Sequence, residues 1–355
     1  MGRRLFREGF LLLALAGLAV TTPLRGAWPR FSRDELAVLY LLWLLFWAVR
    51  TVERGGYFRA LAARLERGPR LGPRLVLGTF LLAALVTNDV AVLAALPLIL
   101  ALKEGRAELA VLAVLAANAG SALTPMGNPQ NLYLYWHYRP GLGAFVGAIL
   151  PLGAAFFFLL ALAAWRLGPP RSRGSGPPPA LVPPAPAFAA LAIVVAAVLR
   201  LLPLAATPPA IALLLLGDRR GIWAVDYGLL FTFAAFFLLV DNLEALLPLA
   251  FPHRYPVFAL AVALSQGLSN VPTAIFLAPF TDHWRTLLWG VNVGGFGTPI
   301  ASLANLIAFR LFLPGARGSE RRRFLVGYAL GEALALAVGA GLFFLLRLDG
   351  WAGRG

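Results

Sequence analysis

Side-chain amides are the residues of this chain whose type and spacing indicate chemistry. Seven of the eight asparagines fall in four short segments, 87–89, 118–132, 269–273 and 292–306. Amide and hydroxyl oxygens can replace the hydration shell of a small hard cation, and amide N–H groups can donate to an anion. In a chain that is 60% hydrophobic, amides gathered in this way predict a polar centre that binds ions.

The second and fourth of these segments repeat one another. NAGSALTPMGNPQNL begins at Asn118 and NVGGFGTPIASLANL begins at Asn292. Aligned without a gap, they share Asn118/Asn292, Gly120/Gly294, Thr124/Thr298, Pro125/Pro299, Asn131/Asn305 and Leu132/Leu306. The first and third segments, TND and SNVPT, form a further pair. Two pairs in the same order predict that the polar centre is built twice, once by each half of the chain.

The composition indicates a membrane protein. The mean hydropathy is +0.77 and 13% of the 355 residues are charged, so the apolar segments exceed what one soluble core can bury. Cysteine is absent, which excludes disulfides and thiolate metal sites. We therefore expect an all-α polytopic membrane protein without a cofactor, and without a metal site other than one for a transported Na+.

The first half of the chain is predicted to form one structural repeat, 1–167. It contains a helical hairpin at 75–102 and a broken transmembrane helix at 107–138. Each arm of the hairpin holds about a dozen apolar residues, enough for roughly 18 Å or half a bilayer. The polar tip at 87–89 then predicts that this hairpin is re-entrant.

The second half is predicted to form an inverted copy, 205–355, with a hairpin at 257–280 and a broken helix at 286–313. Between the halves we expect a Pro- and Gly-rich cytoplasmic linker at 168–187 and a connecting transmembrane helix at 188–204. The first repeat crosses the membrane an even number of times, so the single connecting helix inverts the second repeat.

Charge predicts the orientation. Lys and Arg are densest at 50–74 and 310–323, and the positive-inside rule places both segments in the cytoplasm. The N-terminus is then cytoplasmic in a multi-pass protein of the inner or plasma membrane. The net charge of +15 does not indicate nucleic-acid binding, because no basic run is interleaved with aromatic residues.

The breaks in the long helices are predicted to bind ions. In Thr124-Pro125, Asn128-Pro129 and Thr298-Pro299 a capping residue precedes a proline suited to the first helical turn, so a half-helix can begin at membrane depth. Its free N–H groups would face an anion, and nearby loop oxygens could hold Na+.

At these residues the chain resembles the ion transporter superfamily. TND followed by VAVL, NAGSALTPMGNPQN, SNVPT and GTPIASLANL are similar to signature segments of divalent-anion/Na+ symporters, citrate-type permeases, arsenite permeases and one Na+/H+ antiporter branch. The resemblance implies two inverted repeats with re-entrant hairpins and broken helices, a moving transport domain and a possible homodimer. The tips differ from the Ser-Asn-Thr of the carboxylate symporters and lean toward the arsenite permeases.

The resemblance also implies the site residues. The substrate-binding residues would be Asn88, Thr124, Asn128, Asn270, Thr298 and Ser302. The coupling ion would be held by Thr87, Asn88, Asp89, Ser269, Asn270, Asn118 and Asn292.

Together these features predict a secondary active transporter that moves a small anion, coupled to Na+ or H+. The alternatives are an arsenite or oxyanion efflux permease and a Na+/H+ antiporter, and more remotely an ion channel. An enzyme is disfavoured because the three histidines occur singly, without the spacing of a catalytic or metal-binding cluster. The expected partners are a small anionic substrate and membrane lipid, with no nucleic acid.

Five polar residues lend themselves to more than one interpretation. Asp89 could cap the second arm of its hairpin or couple transport to an ion. Glu332, in the last span, is predicted to be neutral and paired within the bundle. Asp241, Asn242 and Glu244 lie near a helix end and are predicted to be interfacial.

Overall fold

A computed structural model describes residues 2–57, 60, 70–102, 104–167 and 185–346, and the side chains from residue 9 onward. The predicted linker at 168–187 lies outside the described residues except for its last three, which begin a helix.

The first half of the described chain consists of seven α-helices. They are α1 (Gly2–Arg25), α2 (Arg33–Arg54), α3 (Leu71–Leu85), α4 (Asn88–Leu100), α5 (Arg106–Ser121), α6 (Pro129–His137) and α7 (Leu142–Arg166). Helices α3 and α4 are the two arms of the first predicted hairpin, and α5 and α6 are the two parts of the first broken helix.

The second half consists of eight α-helices. They are α8 (Ala185–Val198), α9 (Pro208–Asp218), α10 (Tyr227–Leu246), α11 (Arg254–Leu268), α12 (Asn270–Leu277), α13 (Trp284–Gly294), α14 (Leu303–Phe312) and α15 (Gly318–Leu345). Short 3-10 turns cover Leu204–Ala206, Arg219–Ala224 and Ala278–Phe280. The connecting helix predicted at 188–204 corresponds to α8, which begins earlier, at Ala185, and ends earlier, at Val198.

The fold is that of an all-α polytopic membrane protein. Within the described residues, four helices are long and apolar enough to cross a bilayer: α2, α7, α10 and α15. Helices α3, α4, α12 and α14 are shorter apolar helices, and their ends at the tips and breaks are buried inside the protein, as at Asn88, Asn270 and Ser302. Because their backbone groups cannot be hydrated by lipid, protein must surround these ends.

Both hairpins turn at a residue that leaves the helical conformation. Thr87 has φ −143° and ψ 155°, and Ser269 has φ 71° and ψ 155°, so neither continues the preceding helix. The two broken helices also resume in the same way. Asn128 (φ −148°, ψ 146°) precedes α6, and Ser302 (φ −143°, ψ 146°) precedes α14. An extended residue thus precedes the new half-helix at both breaks, and its side chain makes no capping bond. The predicted starts at Thr124-Pro125 and Thr298-Pro299 are wrong, because these pairs lie within the breaks and the half-helices begin after Asn128 and Ser302.

Helices at equivalent positions of the two halves make equivalent packing contacts. Helix α4 packs on α14, and its counterpart α12 packs on α6. Helix α5 packs on α15, and its counterpart α13 packs on α7. Each of these contacts has a counterpart in the other half of the chain. The repeat itself and its inversion stay predictions.

A buried amide ties α1 to α10 at the end of α10. Asn242 is fully buried, donates to the hydroxyls of Thr21 and Thr22 at 3.0 Å, and accepts from Arg25 at 3.1 Å. Arg25 is also ion-paired with Asp241. The interfacial prediction for Asn242 did not include its contacts with α1, because a single sequence does not show that α1 packs against the end of α10.

Gly120 marks the closest approach between α3 and α5. A Cβ at this position would lie 2.1 Å from the carbonyl oxygen of Phe80, a backbone atom that cannot move without shifting α3. We expect Gly120→Ala to lower the free energy of unfolding by about 1–3 kcal/mol, as overpacking does. Gly143→Ala, where nothing lies within 4 Å, is the matched control. Thermal unfolding in detergent measures both, and equal midpoints would contradict this packing.

Candidate functional site

The tip of the first hairpin lies against both helix breaks. The backbone N–H of Asn88 donates to the carbonyl of Gly127 at 3.2 Å. Its side-chain amide donates to Asn118 Oδ1 at 3.2 Å and to Ser302 Oγ at 3.0 Å. Asn88 therefore joins its own hairpin to the first break and, through Ser302, to the break of the second repeat.

Asparagines of the two repeats also bind each other directly. The Asn118 amide donates to Asn305 Oδ1 at 2.6 Å, and the Asn292 amide donates to Asn131 Oδ1 at 2.8 Å. These two bonds are equivalent when the repeats are exchanged. All four side chains are buried. Hydrogen bonds between buried amides fix the relative position of the two broken helices.

The same asparagines support the irregular backbone of the breaks. Asn131 donates to the carbonyls of Ser121, Ala122 and Thr124, each at 3.1 Å. Asn305 donates to the carbonyls of Gly295 at 3.0 Å and Thr298 at 3.1 Å. Carbonyls that lose their helical partners at membrane depth need such donors.

Thr124 and Thr298 fasten the hairpins to the breaks. Thr124 Oγ1 donates to the carbonyl of Ala84 at 2.7 Å, and Thr298 Oγ1 donates to the carbonyl of Gln266 at 2.7 Å. Each hydroxyl also accepts a backbone N–H from three residues further along its own break. Their hydroxyls are engaged behind the tips, so these two residues position the site.

A cavity lies where the hairpin tips and breaks meet. Its polar lining consists of Asn88, Asp89, Asn128, Gln130, Asp226, Thr232, Ser269 and Asn270. Phe10 of α1, Phe46 of α2 and Phe233 of α10 form part of its apolar wall. The cavity thus lies between the hairpins and the helices that flank them.

Two residues of the cavity carry buried polar atoms that no other group satisfies within the described part of the chain. Both polar atoms of the Gln130 side chain and Oδ1 of Asn128 lack a hydrogen-bond partner. Gln130 is 1% exposed and Asn128 is 3% exposed. An unsatisfied buried amide costs about 1–3 kcal/mol, so a bound ligand would recover that free energy. These atoms are candidate ligand contacts.

Four half-helices begin at this cavity. Asn88, Pro129, Asn270 and Leu303 are the first residues of α4, α6, α12 and α14, and all four line it. The N-terminal N–H groups and the positive end of each helix dipole favour bound oxygen atoms that carry negative charge. This electrostatic contribution needs no charged side chain.

The charged side chains of the cavity are acidic. Asp89 and Asp226 line it, and among the described residues of the lining no Lys, Arg or His occurs. Arg50 lines a smaller adjoining pocket together with both aspartates, and its guanidinium lies 2.5 Å from Glu53 Oε2. The cavity itself therefore combines helix N-termini and amides with carboxylates.

The structure separates the predicted site residues into three groups. Lining the cavity are Asn88, Asp89, Asn128, Ser269 and Asn270. Directly behind them are Ser302, Asn118 and Asn292, bonded into the amide network. Away from the lining are Thr87, which lines the adjoining pocket, and the two threonines that hold the hairpins.

Comparison with known proteins identifies the family. The model of the citrate transporter family matches residues 9–289, which include both hairpins and the first break. The chain belongs to the citrate transporter family. It is a membrane transporter and not an enzyme.

Two relatives cover most of this transporter. It is 32% identical over 334 residues to the inner membrane protein YbiR of Escherichia coli, covering 87% of this chain and 88% of the relative. It is 32% identical over 261 residues to an uncharacterized transporter of Methanocaldococcus jannaschii, covering 70% and 72%. A silicon efflux transporter of Oryza sativa is 34% identical over 129 residues, which are 34% of this chain and 27% of that protein.

Three polar residues of the lining, Gln130, Asp226 and Thr232, are absent from the predicted site, and of these Gln130 carries the unsatisfied atoms. It lies inside the repeated segment, but the equivalent position in the second repeat is Ala304. Selecting residues that recur in both halves therefore passed over it. The signal that could have found it is its rarity, because the chain has two glutamines and one of them lies two residues after Asn128.

Proposed function

We propose that this protein is a secondary active transporter that carries a small oxyacid or its anion through the cavity, coupled to Na+ or H+. The observation that supports this most directly is the pair of unsatisfied amide side chains, Asn128 and Gln130, at the N-terminus of a half-helix inside the membrane region. A buried amide without a partner is suited to a polar ligand that binds and leaves.

The charges of the cavity favour a substrate with low net charge. A free trianion would meet Asp89 and Asp226 without a basic side chain in the lining to offset them. An uncharged hydroxylated oxyacid, or an anion that enters with a cation, avoids that repulsion. The rice relative is named for silicon efflux, and arsenite in its hydroxylated form has the same chemistry.

The coupling ion is proposed to bind at the hairpin tips. Asn88 Oδ1 accepts the N–H of Asp89 at 2.8 Å, so the tip is folded on itself with the Asp89 carboxylate half-buried beside it. Carbonyl, amide and carboxylate oxygens are the ligands that Na+ takes, and a carboxylate can also exchange H+. Asp89→Asn should therefore weaken the dependence on an ion gradient more than it weakens substrate binding.

Movement of the hairpins past the flanking helices is the proposed transport step. The hairpins and broken helices are joined by the amide network, while α1, α2 and α10 supply the opposite wall. An inverted repeat would open this cavity alternately to the two sides. A cytoplasmic N-terminus and a homodimer belong to the same proposal.

A substrate panel on purified protein tests the function. Citrate with and without Mg2+, phosphate, arsenite and silicic acid are added at pH 7, with and without Na+, and thermal unfolding is recorded. A ligand at 100 times its dissociation constant stabilises the native state by about 2.7 kcal/mol. Compounds that stabilise are then assayed for uptake into proteoliposomes.

The outcomes of this panel separate the substrate classes. Stabilisation by arsenite or silicic acid supports an uncharged oxyacid, and stabilisation by citrate only with Mg2+ supports an anion accompanied by a cation. Stabilisation by free citrate would contradict the charge argument. Electrical recordings with currents far above carrier rates would identify a channel and overturn the proposal.

The two glutamines provide a matched test of the binding site. Gln130→Met keeps the side-chain volume and removes the unsatisfied polar atoms. We therefore expect the substrate affinity to fall about 10-fold or more, while the ligand-free variant stays as stable as the ligand-free wild type. Gln266→Met removes bonds to the carbonyls of Gly294 and Phe296, at 2.9 and 3.1 Å, and should lower stability instead. Thermal titrations of both variants measure this, and unchanged substrate binding in Gln130→Met would contradict the assignment.

A further inference from the structure

Glu332 is a carboxyl group buried in the membrane region and outside the cavity lining. It lies on α15 and is 1% exposed. Its Oε2 accepts the backbone N–H of Gly297, in the second break, at 2.9 Å. Its Oε1 has no partner among the described residues. The predicted partner within the bundle is therefore a single backbone N–H and not a basic side chain.

No described charged group compensates a negative charge on Glu332. The charged residues of the helices packed on α15 include Arg106 and Glu108 of α5, Arg254 of α11, Arg285 of α13 and Arg310 of α14, and none of them interacts electrostatically with it. Arg106 and Glu108 are instead engaged by Glu320 and Arg323 at the beginning of α15. Where Gly331 meets α5, the nearest side chains are Val111 and Leu115.

Tyr328 is the titratable neighbour on the same helix. It precedes Glu332 by four residues, so the two side chains lie on one face of α15, and they interact electrostatically. The Tyr328 hydroxyl is also buried without a hydrogen-bond partner in the described part of the chain. Two unsatisfied polar atoms therefore lie on the same buried face of α15, and they are not hydrogen-bonded to each other.

The energetics of this environment favour the protonated carboxyl. An ionised carboxylate that is buried in the membrane needs a cation or several donors, and Glu332 has one donor. A neutral carboxylic acid needs less, because one oxygen accepts from Gly297 and the other can carry the proton. Glu332 thus holds a proton in this conformation.

The first repeat fills the equivalent space with an apolar side chain. Gly297 aligns with Leu123, and α15 corresponds to α7 as the last helix of its repeat. Leu123 packs so closely on α7 that a Cβ at Gly153 would lie 2.3 Å from its Cδ2. The carboxyl group is therefore not needed to pack the last helix against a break, because the other half does so without polar atoms.

Gly297 connects Glu332 to the binding site. Its φ of 113° is strained for other residues, and a Cβ there would lie 2.2 Å from Gln266 Oε1. The same Gln266 oxygen accepts the N–H of Thr298 at 2.9 Å, and Ser302, at the end of this break, is bonded to Asn88. The second break contacts Asn88 through Ser302 and Glu332 through Gly297. A movement of this break that shifts Asn88 would therefore also change the hydrogen bond between Gly297 and Glu332.

We propose that Glu332 is a proton-binding site that loses its proton to water when the second break moves during transport, and so couples the cycle to H+. The O–H bond of the acid breaks, a water molecule that reaches the polar face of Glu332 and Tyr328 takes the proton as H3O+, and the carboxylate stays until the break returns. This inference rests on the proposed transport function, and it adds an H+ site at Glu332 to the ion site that is proposed at the hairpin tips.

Infrared difference spectroscopy on the purified transporter tests the proton directly. The carbonyl stretch of a protonated carboxylic acid should be present in wild type and absent in Glu332→Gln, and its intensity should fall when the stabilising oxyacid from the panel is added. Absence of this band from the wild-type-minus-variant spectrum would overturn the inference whether or not transport is found. If neither substrate nor a pH step changes this band, Glu332 keeps its proton throughout and has a structural role only, which would also overturn the inference.

Proteoliposome assays test the coupling and keep it distinct from the transport function. Glu332→Gln should retain exchange of labelled against unlabelled substrate within about 3-fold, yet lose accumulation driven by a pH gradient. Tyr328→Phe should slow pH-driven accumulation without abolishing the infrared band. Glu320→Gln, on the same helix, is the control and should leave both assays unchanged. Wild-type protein that transports nothing would refute the function, whereas pH-driven accumulation that survives in Glu332→Gln would refute only this inference.

Discussion

Asn88→Ala is expected to reduce transport about 10–100-fold, because it leaves buried polar atoms at the centre of the site without partners. The side-chain amide that donates to Asn118 and Ser302 is lost, and with it the bond that joins the first hairpin to the second break. The measurement is initial uptake into proteoliposomes per folded molecule, with folding checked by size-exclusion chromatography and thermal unfolding.

Two other asparagines show whether this effect is specific. Asn270→Ala, at the second tip, should also impair uptake, because it removes an amide that lines the same cavity and keeps the backbone N–H that donates to the carbonyl of Ala301 at 3.0 Å. Asn242→Ala removes an equally buried amide far from the motifs, so it should lower thermal stability and leave uptake per folded molecule unchanged. Normal uptake in both tip variants would mean that Asn88 and Asn270 act only as helix caps and do not form the binding site.

The hairpins and helix breaks were predictable from the sequence because they depend on local chemistry. Proline is favoured at the first position of a helix, and the structure begins α6 at Pro129, directly after Asn128. Polar tips within apolar runs have the same local character. The bounds of these elements therefore lie within a few residues of the predicted ones, as at 107–138 against Arg106–His137.

The pairing between repeats was not predictable from the sequence in the same way. The motif shows that Asn118 and Asn305 matter, but not that one donates to the other at 2.6 Å. That contact depends on how the two broken helices pack. The roles of Thr124 and Thr298 have the same origin, since their hydroxyls bind carbonyls of hairpins that precede them by 32 to 40 residues.

Asymmetry between the repeats was the other source of error. Repetition selects residues that occur twice, so it emphasised Asn131 and Asn305, whose amides support the breaks. It passed over Gln130, which aligns with Ala304 and faces the cavity unsatisfied. Residues that recur in both copies build the shared scaffold, so the residues that decide specificity are expected where the two copies differ.

Opposite labelling of the two hairpin loops is the prediction with an all-or-none outcome. The natural chain has no cysteine, so a single introduced cysteine is the only thiol. Glu104→Cys follows the first hairpin and Asp282→Cys follows the second, and both positions are exposed. In right-side-out vesicles an impermeant maleimide should label the cysteine at 282 and not that at 104, because the basic clusters near the latter are expected to be cytoplasmic.

The contacts of the two loops place them at opposite ends of the first broken helix. Arg106, where α5 begins, is hydrogen-bonded to Glu320, whereas Tyr138, where α6 ends, donates to the carbonyl of Thr281 at 2.7 Å. Two exposed glycines provide matched controls, Gly315→Cys on the side of Glu320 and Gly141→Cys on the side of Tyr138. Each control should label with the loop on its own side. Labelling of positions 104 and 282 from the same face would refute the inverted repeat, and with it the alternating opening of the cavity on which the transport proposal depends.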